Sequence, residues 1–231
     1  MMLDTLARPP SLVETVCERL ADLARRETDG DRLPTERELS AQLGVSRSVV
    51  REAAQRLELQ GLIEIRQGSG MKVVDKLHKP LNSAFHLRVP DEKQRLVHLT
   101  EVRLALEPES ARLAAERATA AQLRELRRAH ERLELARNFE EQVGADMDFH
   151  RLLAEASGNP ISALLMQSLS ELLQASLAHG YRRVTPALAI RQHGMVLQAM
   201  EKRDPSAAAR AMQRHLLSAR TDLGLNPSRS R

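Results

Sequence analysis

The chain has 231 residues, with 35 Lys+Arg against 31 Asp+Glu and a formal charge of +4, a length that suits one large or two small domains. Hydrophobic residues make up 42% and charged residues 29%, which allows a real core and excludes a disordered or fibrous chain. Only Phe85, Phe139, Phe149 and Tyr181 are aromatic and Cys17 is the single cysteine, which argues for a mainly α protein and excludes an internal disulfide framework and a thiolate zinc site.

The first ten residues, MMLDTLARPP, lack the apolar stretch of a signal peptide, and no later run approaches the length of a membrane span, so a cytoplasmic protein with no membrane partner is expected. From Ser11 onward, Leu12, Val16, Leu20 and Leu23 recur at spacings of three and four, which predicts an amphipathic helix with Ser11 as its N-cap. Thr35 followed by Glu38 is a capping box that opens a short helix stopped by Gly44. Ser46 caps a third helix, which carries Val50, Ala53, Ala54 and Leu57 on one face and closes at Gly61. Two short β-prone runs, 62–66 and 71–74, joined by Gln67-Gly68-Ser69-Gly70, read as a hairpin. Three helices and a hairpin in this order are the layout of a winged helix-turn-helix, assigned to residues 1–75.

On the third helix Arg47 and Arg51 share one face, with Ser48 beside them and the apolar stripe turned away. A DNA-reading helix needs that division, because forked guanidinium donors match guanine edges and phosphates. Ser46 and its neighbouring amides suit a phosphate, Arg37 on the preceding helix reaches toward the backbone or a base, and Gly68 and Gly70 let the wing approach a groove closely. Bulk charge is no guide here: residues 1–75 hold 11 basic and 13 acidic side chains, against 24 and 18 in the remainder.

Residues 76–80 read as a linker, and the pattern beyond is helical: near 81–87, then 91–117, 119–137, 138–157, 160–180, 185–203 and 205–223, with a disordered tail at 224–231. In this helical domain Asp146 and His150 are four apart on the otherwise apolar row Val143–Asp146–His150–Leu153. His193 lies on the row Ala189–His193–Leu197–Met200 and His215 on Ala208–Met212–His215–Ala219. An ionised Asp on a core row costs several kcal/mol unless paired, and a divalent cation pairs it. Oxygen and imidazole ligands without thiolate suit Zn²⁺ first, with Ni²⁺ or Mn²⁺ as alternatives. His130 also falls on an apolar row, Leu126–His130–Leu133, with no ligand partner, so a stripe position does not by itself make a ligand.

Leu33-Pro34-Thr35-Glu36-Arg37-Glu38-Leu39, Leu43-Gly44-Val45-Ser46-Arg47, Val50-Arg51-Glu52-Ala53, Leu57, Gly61-Leu62 and Gly68-Ser69-Gly70 together resemble the DNA-binding domain of GntR-family bacterial transcription regulators. Met71 and Ala54 depart from that pattern, where Thr and a larger aliphatic residue are common. The resemblance implies a homodimer that reads a palindromic double-stranded operator through Arg37, Arg47, Arg51 and the wing.

Glu101-Val102-Arg103, Leu106-Glu107-Pro108-Glu109, Leu113-Ala114-Ala115, Asp146 with Phe149 and His150, Ser157-Gly158-Asn159-Pro160, His193 and Met212 to Leu216 resemble the FCD effector domain of the FadR subfamily. That likeness implies an antiparallel bundle of six or seven helices over 81–223, with Asp146, His150, His193 and His215 holding a metal at a pocket floor. It also implies that Arg103 pairs with an effector carboxylate. A repressor released by a small hydroxy- or dicarboxylic acid is the expected function. The alternatives are a regulator that senses the metal itself and a metal-dependent enzyme acting on a small acid. The sequence contains no phosphate loop, nucleophile elbow or recognisable general base beside the His set, which disfavours the enzyme.

Overall fold

The computed structural model describes residues 10–66, 70–182 and 186–222, and the chain divides into two compact units between Pro80 and Leu81. The N-terminal stretch read for a leader up to residue 9, the wing-tip loop 67–69 with Gly68, and the tail 224–231 lie outside the described residues.

In the first unit α1 (Leu12–Ala24), α2 (Glu36–Leu43) and α3 (Arg47–Gln60) are followed by β1 (Ile63–Arg66) and β2 (Gly70–Val73). Each helix begins where a side chain satisfies free N–H groups: Ser11 and Thr35 form capping boxes with Glu14 and Glu38, and the Ser46 hydroxyl accepts from the Val49 amide. Gly44 and Gly61 end α2 and α3 in the left-handed region, and at Gly61 a Cβ would also land on the Lys76 carbonyl. The strands pair antiparallel with Ile63 opposite Val73 and Ile65 opposite Met71. Val16, Leu20, Leu39, Val50, Ala53, Ala54, Leu57, Ile63 and Met71 form the core beneath them. Ala54 and Met71, the two departures from the GntR pattern, are both buried there. Met71 therefore faces inward and leaves the exposed side of the wing unchanged.

The second unit consists of α5 (Glu92–Arg117), α6 (Ala120–Leu135), α7 (Phe139–Ala156), α8 (Pro160–Ser168), α9 (Ser170–Tyr181), α10 (Ala187–Glu201) and α11 (Pro205–Asp222), preceded by the short α4 (Lys79–Arg88). α4 begins inside the stretch expected to be linker. The segment expected to run unbroken over 160–180 bends at Leu169 (φ −89°, ψ 0°), whose N–H still reaches the carbonyls of Leu165 and Met166. With α8 and α9 taken as one bent helix and α4 included, seven helices follow the hairpin among the described residues.

α11 packs along α5, where Ala111, Ala114 and Ala115 are fully buried and allow the helices to approach. Phe149, Leu153, Leu126, Val196, Met200, Met212 and Leu216 fill the remaining core, each contributing roughly 1.5–3 kcal/mol by leaving water. Arg203 follows α10 with φ +54°, a conformation unfavourable for a residue with a Cβ, and its guanidinium donates to the Ala115 and Ala118 carbonyls at the end of α5.

Candidate metal centre and nucleic-acid interface

Three helices, α7, α10 and α11, each turn ligand-type side chains into the core. Asn138 caps α7, and the face of that helix that buries Phe149 and Leu153 also buries Asp146 and His150. α10 brings in His193, whose ring stacks on Phe149 with centroids 4.2 Å apart and planes 6° from parallel. α11 brings in His215. The three imidazoles each offer a nitrogen within 4.8 Å of the others, and Nε2 of His193 lies 3.2 Å from Nε2 of His215. Asp146 reaches two of the three: Oδ1 is 3.2 Å from His150 Nε2 and Oδ2 is 3.8 Å from His193 Nε2. Asp146, His150 and His193 have no exposed surface, and His215 has almost none.

The outer nitrogens of two of these rings are held. Glu107 lies 2.6 Å from His150 Nδ1, and the Gln192 side-chain oxygen lies 3.3 Å from His215 Nδ1. A histidine whose Nδ1–H is bonded to an acceptor turns the Nε2 lone pair inward, as a metal ligand must. The Arg103 Nη2 lies 3.0 Å from His150 Nε2, so it stands where a cation on that nitrogen would have to displace it.

Burial opposes the charge of Asp146, but His193 and His150 outweigh it and hold the carboxyl below its usual range. Burial pushes His215 down to about 3 and His193 well below its ordinary value. His150 moves the other way, because the Glu107 carboxylate outweighs the burial that would lower it. Glu107, for its part, is held low against burial by Arg103 and His150. An ionised carboxylate and the neutral imidazoles of His193 and His215 suit a divalent cation of the Zn²⁺, Ni²⁺ or Mn²⁺ type, and His150, which Glu107 holds toward its protonated form, joins them by giving up a proton. Asp146 Oδ1 and His193 Nδ1 are both buried without a hydrogen-bond partner, which for Asp146 is the condition a cation relieves.

The family resemblance implied that Arg103 pairs with an effector carboxylate. In the fold it is buried, and Nε and Nη2 are committed to an ion pair with Glu107, its partner one turn along α5. Its side chain borders a cavity of about 40 Å³ together with Asp146, Tyr181, Gln192 and His215. Glu107, Tyr181 and Gln192 had no role in the sequence reading. Glu107 carried a faint signal as an i,i+4 partner of Arg103, a spacing that usually marks a surface pair; the other two carried none. His130 does not join the cluster, and its Nε2 lies against Gly194 and 3.4 Å from Glu134.

In the first unit Arg37, Ser46, Arg47, Ser48 and Arg51 are all exposed. The Ser46 and Ser48 hydroxyls are 2.8 Å apart at the start of α3. Arg51 is held by a two-pronged pair with Glu36, Nη2 to Oε2 at 2.6 Å and Nε to Oε1 at 3.1 Å. Gly70 opens β2 at φ +83° with open space around it, so backbone conformation rather than crowding requires glycine there. Among the described residues no helix is long and apolar enough to cross a membrane.

The family model described as "Bacterial regulatory proteins, gntR family" matches residues 12–73, and that of the FCD domain matches residues 98–218. The chain is 35% identical over 222 residues to the HTH-type transcriptional repressor NanR of Cronobacter sakazakii, a match covering 90% of this chain and 83% of that protein. It is 33% identical to the Uxu operon regulator of Haemophilus influenzae, covering 84% of this chain and 74% of that one. A solved GntR structure from Streptococcus agalactiae superposes with a TM-score of 0.78 at 30% identity, over 90% of this chain and 99% of that one.

Proposed function

The chain belongs to the gntR family of bacterial regulatory proteins and carries an FCD domain, and on that premise we propose that it is a cytoplasmic, homodimeric repressor released by a small organic acid. Its function is regulatory and not enzymatic. The operator is double-stranded and palindromic, with Arg37, Arg47 and Arg51 at bases and phosphates, Ser46 and Ser48 at a phosphate, and the wing with Gly68 and Gly70 against the backbone. Repression is carried over from the similar NanR proteins.

The observation that supports the sensing half is a buried cluster of one carboxylate and three imidazoles beside a cavity bordered by Arg103. His150, His193, His215 and Asp146 would hold a divalent cation, Zn²⁺ before Ni²⁺ or Mn²⁺. When bound, it supplies a Lewis-acidic centre for a chelating carboxylate and hydroxyl. Arg103 keeps Nη1 for a ligand carboxylate while Nε and Nη2 stay on Glu107. Glu107 and Gln192 orient His150 and His215, and Phe149 packs on the His193 ring. Release follows if the acid binds the DNA-free dimer more tightly than the DNA-bound one, because coupling must arise from a difference in affinity.

The test uses an operator selected from random duplexes, with binding followed by fluorescence anisotropy of the full chain. Malate, tartrate, citrate and gluconate are titrated with metal present and again with chelator. An acid that weakens operator binding only with metal supports the reading. Acids that never change operator affinity or melting temperature sink it, and metal acting alone makes the ion itself the effector.

A further inference from the structure

We propose that Tyr181 is a positioning residue for the metal ligand Asp146: its phenol holds one carboxylate oxygen, the one on the His193 side, and leaves the other, beside His150, for the cation. The inference rests on the metal reading above. Tyr181 Oη donates to Asp146 Oδ2 at 2.5 Å. Asp146 Oδ1 is buried and makes no hydrogen bond, although it lies 3.2 Å from His150 Nε2. The two oxygens of one carboxylate thus have opposite fates, and the phenol decides which is which.

Tyr181 is the last residue of α9, and that end of the helix is tied to the helix bearing Asp146. The neighbouring Arg182 places its guanidinium 5.7 Å from the centre of the Phe139 ring, at the first residue of α7. With Oδ2 occupied, Asp146 binds a cation through one oxygen only. With its proton committed to Asp146, the phenol oxygen turns only lone pairs toward the cavity it shares with Arg103, Gln192 and His215. Partners in this outer position typically govern metal affinity by about 10–100-fold.

Tyr181 is the sole tyrosine and the chain has no tryptophan, so tyrosine emission reports this one phenol. The experiment titrates Zn²⁺ into the full-length metal-free protein and into Tyr181→Phe by calorimetry, records wild-type emission over the same titration, and compares visible spectra of the Co²⁺-loaded forms. Tyr181→Phe is expected to bind Zn²⁺ about 10–100-fold more weakly. Its metal-free melting temperature should fall, because the buried Oδ2 loses its donor, and its Co²⁺ spectrum should change because the freed Oδ2 can join the coordination. Wild-type emission is expected to change and to saturate together with Zn²⁺ uptake. Equal affinity and an identical Co²⁺ spectrum overturn the inference while leaving the metal reading intact. Emission that stays flat while Zn²⁺ saturates does the same without needing the variant to fold. A wild-type protein that takes up no Zn²⁺ overturns the metal reading and this inference together.

Discussion

Arg37, Arg47 and Arg51 stand in solvent above a core made wholly of apolar side chains, whereas Asp146, His150, His193 and Glu107 sit inside theirs. Arginines on the surface keep most of their hydration, and the solvent-screened Arg51–Glu36 pair adds little to stability. The first unit therefore carries its chemistry at almost no cost to folding. The second pays desolvation for every ionised group and recovers it only through the geometry of Arg103, Glu107, His150 and Asp146. Function and stability should separate in one unit and be inseparable in the other.

The strongest attack on that contrast is Glu107→Ala, which leaves Arg103 buried without its carboxylate. It is expected to cost about 3–5 kcal/mol, read as a melting temperature lowered by roughly 10 °C. A melting temperature within error of wild type would show that the buried cluster is not an energetic liability. Acid comes next. His215 has a folded value of about 3, and His193 is shifted the same way, so between that value and about pH 6.5 the unfolded chain binds the extra protons. Metal-free protein should be most stable above about pH 6.5 and lose about 2 kcal/mol from His215 alone by about pH 5. His150, raised by Glu107, opposes this with a contribution present below about pH 6.5, but it is one group against two. Below about pH 4 the depressed Asp146 and Glu107 add to the loss. Urea melts across pH 4–8 with chelator test the slope, and a stability that rises on acidification from pH 7 to 5 contradicts it.

On the exposed side, Arg47→Ala is expected to weaken operator binding by about 1–3 kcal/mol with no change in melting temperature. A fall in stability of comparable size would erase the distinction between the units. The smallest effect belongs to Ser46→Ala, expected to cost about 1 kcal/mol of stability through its lost cap and to weaken DNA binding as well. It is the one exposed position where the two readouts should move together, which sharpens rather than breaks the comparison.

Local chemistry made much of this legible in the chain. Ser11, Thr35 and Ser46 announce helix starts because free N–H groups need an oxygen acceptor, and Gly44 and Gly61 announce ends because the left-handed region disfavours a Cβ. The 3.6-residue period placed Asp146, His150, His193 and His215 on inward rows. The bend at Leu169 left no such mark, since neither glycine nor proline occupies it and the apolar pattern runs through. Glu107 was readable only as a surface partner of Arg103, and a lone Tyr181 at a helix end had no pattern to join.

Sequence alone determined the two-part organisation, the cap of each DNA-unit helix, the exposed arginine face of α3, and which face of each bundle helix carries its polar exception. Those features depend on hydrogen bonds and periodicities within a few residues of one another. The tertiary structure decided which faces meet: His193 and His215 join His150, while His130, on an equally apolar row, turns to Gly194 and Glu134. It also decided that Arg103 is paired from within and that Tyr181 closes on Asp146. A helical period fixes the direction in which a side chain leaves its own axis, but only the packing of several axes fixes what it finds there.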